Sequence, residues 1–247
     1  MLRAHLVALL LTLAAPVMAA APLRVDGRFL KDEHGRVVIL HGVNYSQRGK
    51  SAPYTSWQSR EHFAQIAGWG FNSVRYVVQW AAIEPEPGTI DEAYLDDVER
   101  ALAWARDHDL HVLVDMHQDV WCEVFGGNGA PKWAAVDDLV EPNKILSPWW
   151  KNYFTREVIA SFTRFFKDDN LQSHYAKAWQ AVARRAAKYP NVVGYDLMNE
   201  PFPGRSLPWW FESHALSRFH EKVGVAIRAV HPGAVEVACD EVDNDCD

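Results

Sequence analysis

Cysteine is scarce in this 247-residue sequence, with only Cys122, Cys239 and Cys246. An odd count supplies no disulfide framework, and no spacing resembles a zinc site. Cys239 and Cys246 can pair in an oxidising compartment, although nothing requires it. Positive charge is also short: 25 Lys and Arg stand against 32 Asp and Glu, a net charge of −7. That balance argues against nucleic acid, which attracts basic surfaces. Nowhere does an apolar run reach the roughly 20 residues a membrane span needs. The leading apolar stretch, residues 6–15, is broken by Thr12, follows Arg3 and His5, and precedes small residues at 18–21. This is the pattern of a secretory signal peptide, with an uncleaved anchor as the alternative. Residues 1–21 are therefore set apart from the fold. Residues 22–247 are expected as one domain, secreted or periplasmic, with no transmembrane segment after cleavage. Repeats and low-complexity linkers are missing too.

What is present begins with eleven tryptophans. Such an excess suits sugar stacking or large interfaces, although core packing accounts for many tryptophans in any domain. Strand-like runs at 37–41, 72–78, 111–116, 191–198 and 234–238 alternate with helical spacing at 59–68, 91–108, 171–188 and 211–230. Asp91 reads as an N-cap. Alternating strands and helices imply a parallel sheet with right-handed crossovers, its strands apolar on both sides. The expected architecture is α/β, of the (β/α)8 TIM-barrel type, with about five βα units in this chain; an open five-stranded sheet is the alternative. The connection 118–170 is long for a βα loop and carries Trp121, Trp133, Trp149 and Trp150. Loops of this length are usually functional or disordered, and this one is read as a wall of a substrate cleft, with 148–166 partly helical.

The chemistry gathers at strand ends, where (β/α) barrels place their active sites. Asn199-Glu200-Pro201 closes the fourth long strand. Glu200 is the candidate acid of a glycosidase, which uses two carboxylates flanking the scissile bond, and Asn199 is placed to hold the sugar 2-hydroxyl. Asp115, His117 and Asp119 alternate at the end of the third strand, so period two puts them on one face. A metal site and a satisfied polar network are the competing readings of that trio. Arg75 lies within the second strand, where a buried guanidinium requires a carboxylate partner. It either orients a catalytic Glu or forms a structural ion pair.

These motifs resemble glycoside hydrolase family 5, the retaining cellulase-like barrels. The matching pieces are Gly42-Val43-Asn44, Asn72-Ser73-Val74-Arg75, Asp115-Met116-His117 and Asn199-Glu200-Pro201. The wording is closer still to the endoglycoceramidase-like branch, through Lys50, the stretch from Trp80 to Gly88, Gln118-Asp119-Val120-Trp121 and the stretch from Phe125 to Pro131. The resemblance covers residues 24 to 235. It implies Glu200 as acid/base, Asn199 at the 2-hydroxyl and Arg75 and His117 as supports of the catalytic carboxylates. It also implies Lys50, Asp119 and Trp121 as sugar contacts. The reaction it implies is retaining hydrolysis of a β-glycosidic bond of a carbohydrate or glycolipid, without cofactor or metal.

One departure stands out. The family's nucleophile is a Glu on a seventh strand, and this sequence reads to five, so the nucleophile is expected to be absent from the chain. Glu241, in an acidic tail, does not fit the pattern. The expectation is a C-terminally truncated or frame-broken hydrolase with exposed sheet edges. A β-glucan hydrolase of the same family and a non-catalytic carbohydrate- or lipid-binding remnant are the other readings.

Overall fold

The computed structural model describes residues 21–46, 50–54, 57–135 and 145–237. It opens with an antiparallel pair, β1 (Arg24–Asp26) and β2 (Phe29–Lys31), turning through Gly27 at φ +63°. A five-stranded sheet follows, made of β3 (Gly42–Tyr45), β4 (Ser73–Val78), β5 (His111–Met116), β6 (Val192–Asp196) and β7 (Glu236–Val237). All of its pairings are parallel and its order is β3-β4-β5-β6-β7. Each strand therefore pairs with the next one in sequence. That is the winding of a (β/α) barrel; a doubly wound sheet reverses its order at a switch point. The helices are α1 (Arg60–Gly68), α2 (Trp80–Ile83), α3 (Glu92–Asp107), α4 (Arg156–Phe165), α5 (Asp169–Ala186), α6 (Pro208–Trp210) and α7 (Ser217–Arg228).

Local signals explain most of the boundaries. The Asp91 carboxylate accepts the Tyr94 amide and starts α3, and Tyr94, Leu95, Val98, Leu102 and Ala105 bury one face of it. Asp168 accepts the amides of Asn170 and Leu171, so α5 begins two residues before the position expected from apolar spacing. The helix expected at 211–230 begins earlier, because Pro208 seeds α6 at a position where its missing N–H costs nothing. It continues through a π-helical stretch, Phe211–Leu216, into α7.

Two expectations are corrected. The run at 37–41 is not the first barrel strand. Val38 donates to the Leu30 carbonyl and Val37 bridges Lys31, so the run folds back on β2, and Ile39 is 79% exposed. The barrel strand is the next segment, β3. Nor are the strands apolar on both sides. Val74, Tyr76, Val112, Val114 and Tyr195 are buried on the helix-covered face. The opposite face carries Arg75, Asp115 and Asp196, and register sets Asp115 directly beside Asp196.

The long loop after β5 is ordered by aromatic packing. Trp121 contacts Phe162 and Phe165, and Trp80 contacts Trp121, Trp133 and Tyr175. Helical turns of the 3-10 type span Glu123–Phe125, Lys132–Ala134 and Trp149–Phe154, in line with the helical character expected over 148–166. Among the described residues, no helix is long and apolar enough to cross a membrane. Cys239, Glu241 and Cys246 lie outside the described residues, as do residues 1–20.

Candidate active site

Arg75 leaves β4 toward the strand ends and donates to two acceptors, one at the end of β6 and one just after it. Its Nη2 lies 2.5 Å from Asp196 Oδ2 and 3.0 Å from Asn199 Oδ1, and its Nε lies 3.1 Å from Asp196 Oδ2. Asp115 Oδ1 is 3.1 Å from Nη2, but off the hydrogen-bonding direction, so that contact is Coulombic. The guanidinium has its carboxylate partners, as a buried Arg requires. They are Asp196 and Asp115 rather than Glu200. Nothing local marks Asp196, which sits inside the apolar run 191–198; its signal is the need of Arg75 for a carboxylate at a neighbouring strand end.

Asp115, His117 and Asp119 come together as expected. His117 Nδ1 is 2.7 Å from Asp115 Oδ2, and its Nε2 is 3.3 Å from Asp119 Oδ2. Both imidazole nitrogens thus face carboxylates. Burial alone lowers the His117 pKa, but the two carboxylates outweigh it and hold the imidazole above its ordinary value. Asp115 is fully buried; burial first, then the charge of Asp196, push its carboxyl upward against the pull of His117 and Arg75. Asp119 goes the other way. Burial would raise it, yet His117, Lys50 and Asn128 converge on it and hold it well below the usual carboxylate range. Lys50 Nζ and Asn128 Nδ2 each lie 2.8 Å from Asp119 Oδ2.

Lys50 and Asn128 also border a cavity of about 330 Å³, lined further by Gln79, Lys132 and Trp133. Its wall depends on glycine. A Cβ at Gly127 would collide with the Asp119 carbonyl, and one at Gly129 (φ +116°) with Gln118.

Glu200 follows β6 in a left-handed conformation, φ +45°, unusual for a residue with a side chain. Its carboxylate is exposed and has no hydrogen-bond partner among the described residues. The backbone around it is held by a residue that sequence reasoning did not single out as a site residue. Gln118 Nε2 donates to the Asn199 carbonyl at 2.8 Å and to the Glu200 carbonyl at 2.9 Å. In return Asn199 Nδ2 donates to the Gln118 carbonyl at 2.9 Å, and the Asn199 amide to Met116 at 3.2 Å. Asn199 keeps one of its two side-chain N–H groups for a ligand. Tyr153 stands beside this clasp, its phenol pushed up to about 12 by burial, with the charge of Glu200 adding to the effect.

One expected site residue is misplaced. Trp121 is 1% exposed and packed among Trp80, Phe162 and Phe165. Its ring belongs to the core beneath the site and has no face to offer a sugar.

The constellation is thus a solvent-facing carboxylate beside an amide at one strand end, with an Arg-carboxylate-imidazole network on the adjacent strands. Known proteins share its framework. Residues 32–240 match the cellulase family, glycosyl hydrolase family 5. Endoglycoceramidase I of Rhodococcus hoagii (strain 103S) is 34% identical over 196 residues, which are 76% of this chain and 39% of that protein. The solved endo-glycoceramidase II from Rhodococcus sp. in complex with ganglioside GM3 superposes with a TM-score of 0.78 at 37% identity, covering 84% of this chain and 50% of that one. An endogalactoceramidase structure gives 0.75 at 30% identity, over 87% and 51%. The chain spans about half the length of these solved relatives. Its sheet is five strands of their TIM barrel, and by the match over most of its length the chain belongs to glycosyl hydrolase family 5, the cellulase family.

Proposed function

We propose that this barrel hydrolyses a β-glycosidic bond of a glycolipid with retention of configuration, Glu200 acting as general acid and then general base. The observation that carries the reading is the state of Glu200: at a strand end, solvent-facing, its carboxylate without a partner among the described residues, its peptide clasped by Gln118 and Asn199. In the first step Glu200 gives its proton to the leaving glycosidic oxygen while a second carboxylate, which the described residues do not supply, attacks the anomeric carbon. In the next, Glu200 takes a proton from the water that releases the sugar. Asp115, Asp119 and Asp196 are committed to Arg75, His117 and Lys50, so none of them is assigned as nucleophile. Asn199 supplies an N–H for the 2-hydroxyl, and Lys50, at the cavity, with Asp119 paired to it, is assigned to the glycone. The substrate class rests on the likeness to endoglycoceramidases, one of them solved with a ganglioside. The leader at 1–21 supports export of the protein.

The test is hydrolysis of lactosylceramide by the whole protein, with product analysis, alongside a β-glucan. Release of intact lactose and ceramide is expected. The Glu200→Gln variant should lose about 10²- to 10⁴-fold on this poor leaving group and retain far more on an activated aryl glycoside. Wild-type turnover of lactosylceramide by that variant would refute the acid/base role, and cleavage of β-glucan alone would refute the substrate class.

A further inference from the structure

A second cavity opens on the outer rim of the barrel, away from Arg75 and His117. It measures about 260 Å³ and lies between α4, α5 and α7, where Lys167, Arg218 and Lys222 line it together with Asp169, Thr163 and Trp210. Lys222 is partly spent, with Nζ 2.8 Å from the Asp169 carbonyl and 3.5 Å from its Oδ1. The charged ends of Lys167 and Arg218 have no carboxylate partner among the described residues. Three cations against one carboxylate is a local reversal in a chain whose net charge is −7. Beside the opening, Leu207, Trp209 and Trp210 are exposed, Trp209 by 66%.

Topology fixes where this feature faces. In a βα unit the helix starts at the end of the sheet where the strand stops. Lys167 and Asp169 precede and open α5, and Lys222 of α7 reaches the Asp169 carbonyl, so the cavity lies at the strand-end side of the barrel, the side that carries Glu200. Two chemistries then coincide on one rim. Exposed cations fit a phosphate, a guanidinium most closely because its N–H groups match two oxygens at once. Exposed tryptophans favour the layer between lipid headgroups and acyl chains, where one end of the ring is dry and the other wet.

We propose that this rim cavity binds the phosphate headgroup of an anionic membrane lipid, while Leu207, Trp209 and Trp210 enter the headgroup layer and turn the strand ends toward the membrane. An anionic surface repels most of this acidic chain, so attraction confined to one rim orients the protein. A nucleic acid would need a longer basic track than three residues around one cavity.

The test is sedimentation of the full chain with phosphatidylcholine vesicles and with vesicles that also hold phosphatidylglycerol; it requires no turnover, so its outcome is separate from that of the hydrolysis assay. The chain is expected to prefer the anionic vesicles and to be released by salt. Each of Lys167→Gln and Arg218→Gln should weaken that binding by about fivefold, and both together by about 25-fold. Arg218→Lys, which keeps the charge but loses the paired N–H match to two oxygens, should bind between the parent and Arg218→Gln, and Trp209→Ala should bind more weakly. Far-UV circular dichroism checks that these exposed substitutions leave the fold unchanged. Absence of binding, equal binding to the two vesicle types, or undiminished binding by the double variant would overturn the proposal. Free glycerophosphate at matched ionic strength should compete with the headgroup for the cavity and release part of the bound chain; no release would overturn the proposal as well.

Discussion

Replacing Gln118 with leucine keeps the volume of a side chain only 4% exposed and removes every hydrogen bond its amide makes. Three backbone groups lose a partner. They are the carbonyls of Asn199 and Glu200, at 2.8 and 2.9 Å from Nε2, and the amide of Trp121, 3.0 Å from Oε1. Glu200 is exposed, so water can replace the bond to its carbonyl. The other two groups are shielded, and an unsatisfied buried polar group costs about 1–3 kcal/mol. Two of them give about 2–6 kcal/mol, of which the apolar replacement offsets a part, so a loss of about 2–4 kcal/mol is expected. That is a large share of a typical domain's stability. Urea denaturation measures it, with the exposed Gln65→Leu as control. Hydrogen exchange supplies a local readout, because the Trp121 amide should exchange faster in the variant while α3 amides change only with global stability. A loss no larger than that of the control, with the Trp121 amide still protected, would show that the clasp does not hold the Glu200 backbone.

Three further outcomes follow from the network and the core. His117 is raised above its ordinary 6.5, so its contribution to stability is full below pH 6.5 and is lost as pH rises through the folded value. Asp115→Asn should lower the His117 midpoint in an NMR titration, and an unmoved midpoint would refute the coupling. Asp119 is held below its ordinary 3.8, so its contribution is present above that pH and is lost as pH falls further. The stability gap between the parent and Asp119→Asn, read by urea unfolding, should therefore narrow on acidification through 3.8; a gap that widens contradicts the sign. Trp121→Ala should cost about 3–5 kcal/mol, as expected for a large buried aromatic. A cost under about 1 kcal/mol would put the ring back at the surface.

What was legible in the sequence followed local rules. The helix at 91–108 was found because Asp91 caps it and its apolar residues repeat at helical spacing. β4 and β5 were found because their runs are short, β-rich and bounded by Asn72 and by His108-Asp109. The run 37–41 misled because Val37, Val38 and Ile39 carry strand propensity, yet propensity does not say which partner a strand takes, and here the partner is β2. Trp121 misled for another reason: the family resemblance implied a sugar contact, but Val120 and Trp121 both adopt positive φ, 55° and 70°, and the indole goes into the core. Asp196 and Gln118 were not singled out because their importance is relational. Asp196 matters because Arg75 points at it from two strands away. Gln118 matters because β5 and β6 end side by side, which no single segment records.

The electrostatics of the strand ends separate two kinds of carboxylate. Asp115 sits 2.7 Å from His117 Nδ1, Asp119 lies 2.8 Å from Lys50 Nζ, and Asp196 lies 2.5 Å from Arg75. Each is matched by a cation or an imidazole, and each is partly or wholly withdrawn from solvent. Among the described residues, Glu200 alone of the four has no such partner, and it is the exposed one. A carboxylate tied to a guanidinium exchanges its proton reluctantly, because protonation forfeits the ion pair. Among the described residues, hydrogen bonds go to the backbone of Asn199 and Glu200 and none to the Glu200 side chain: the clasp fixes where the carboxylate stands and leaves its oxygens open to a ligand.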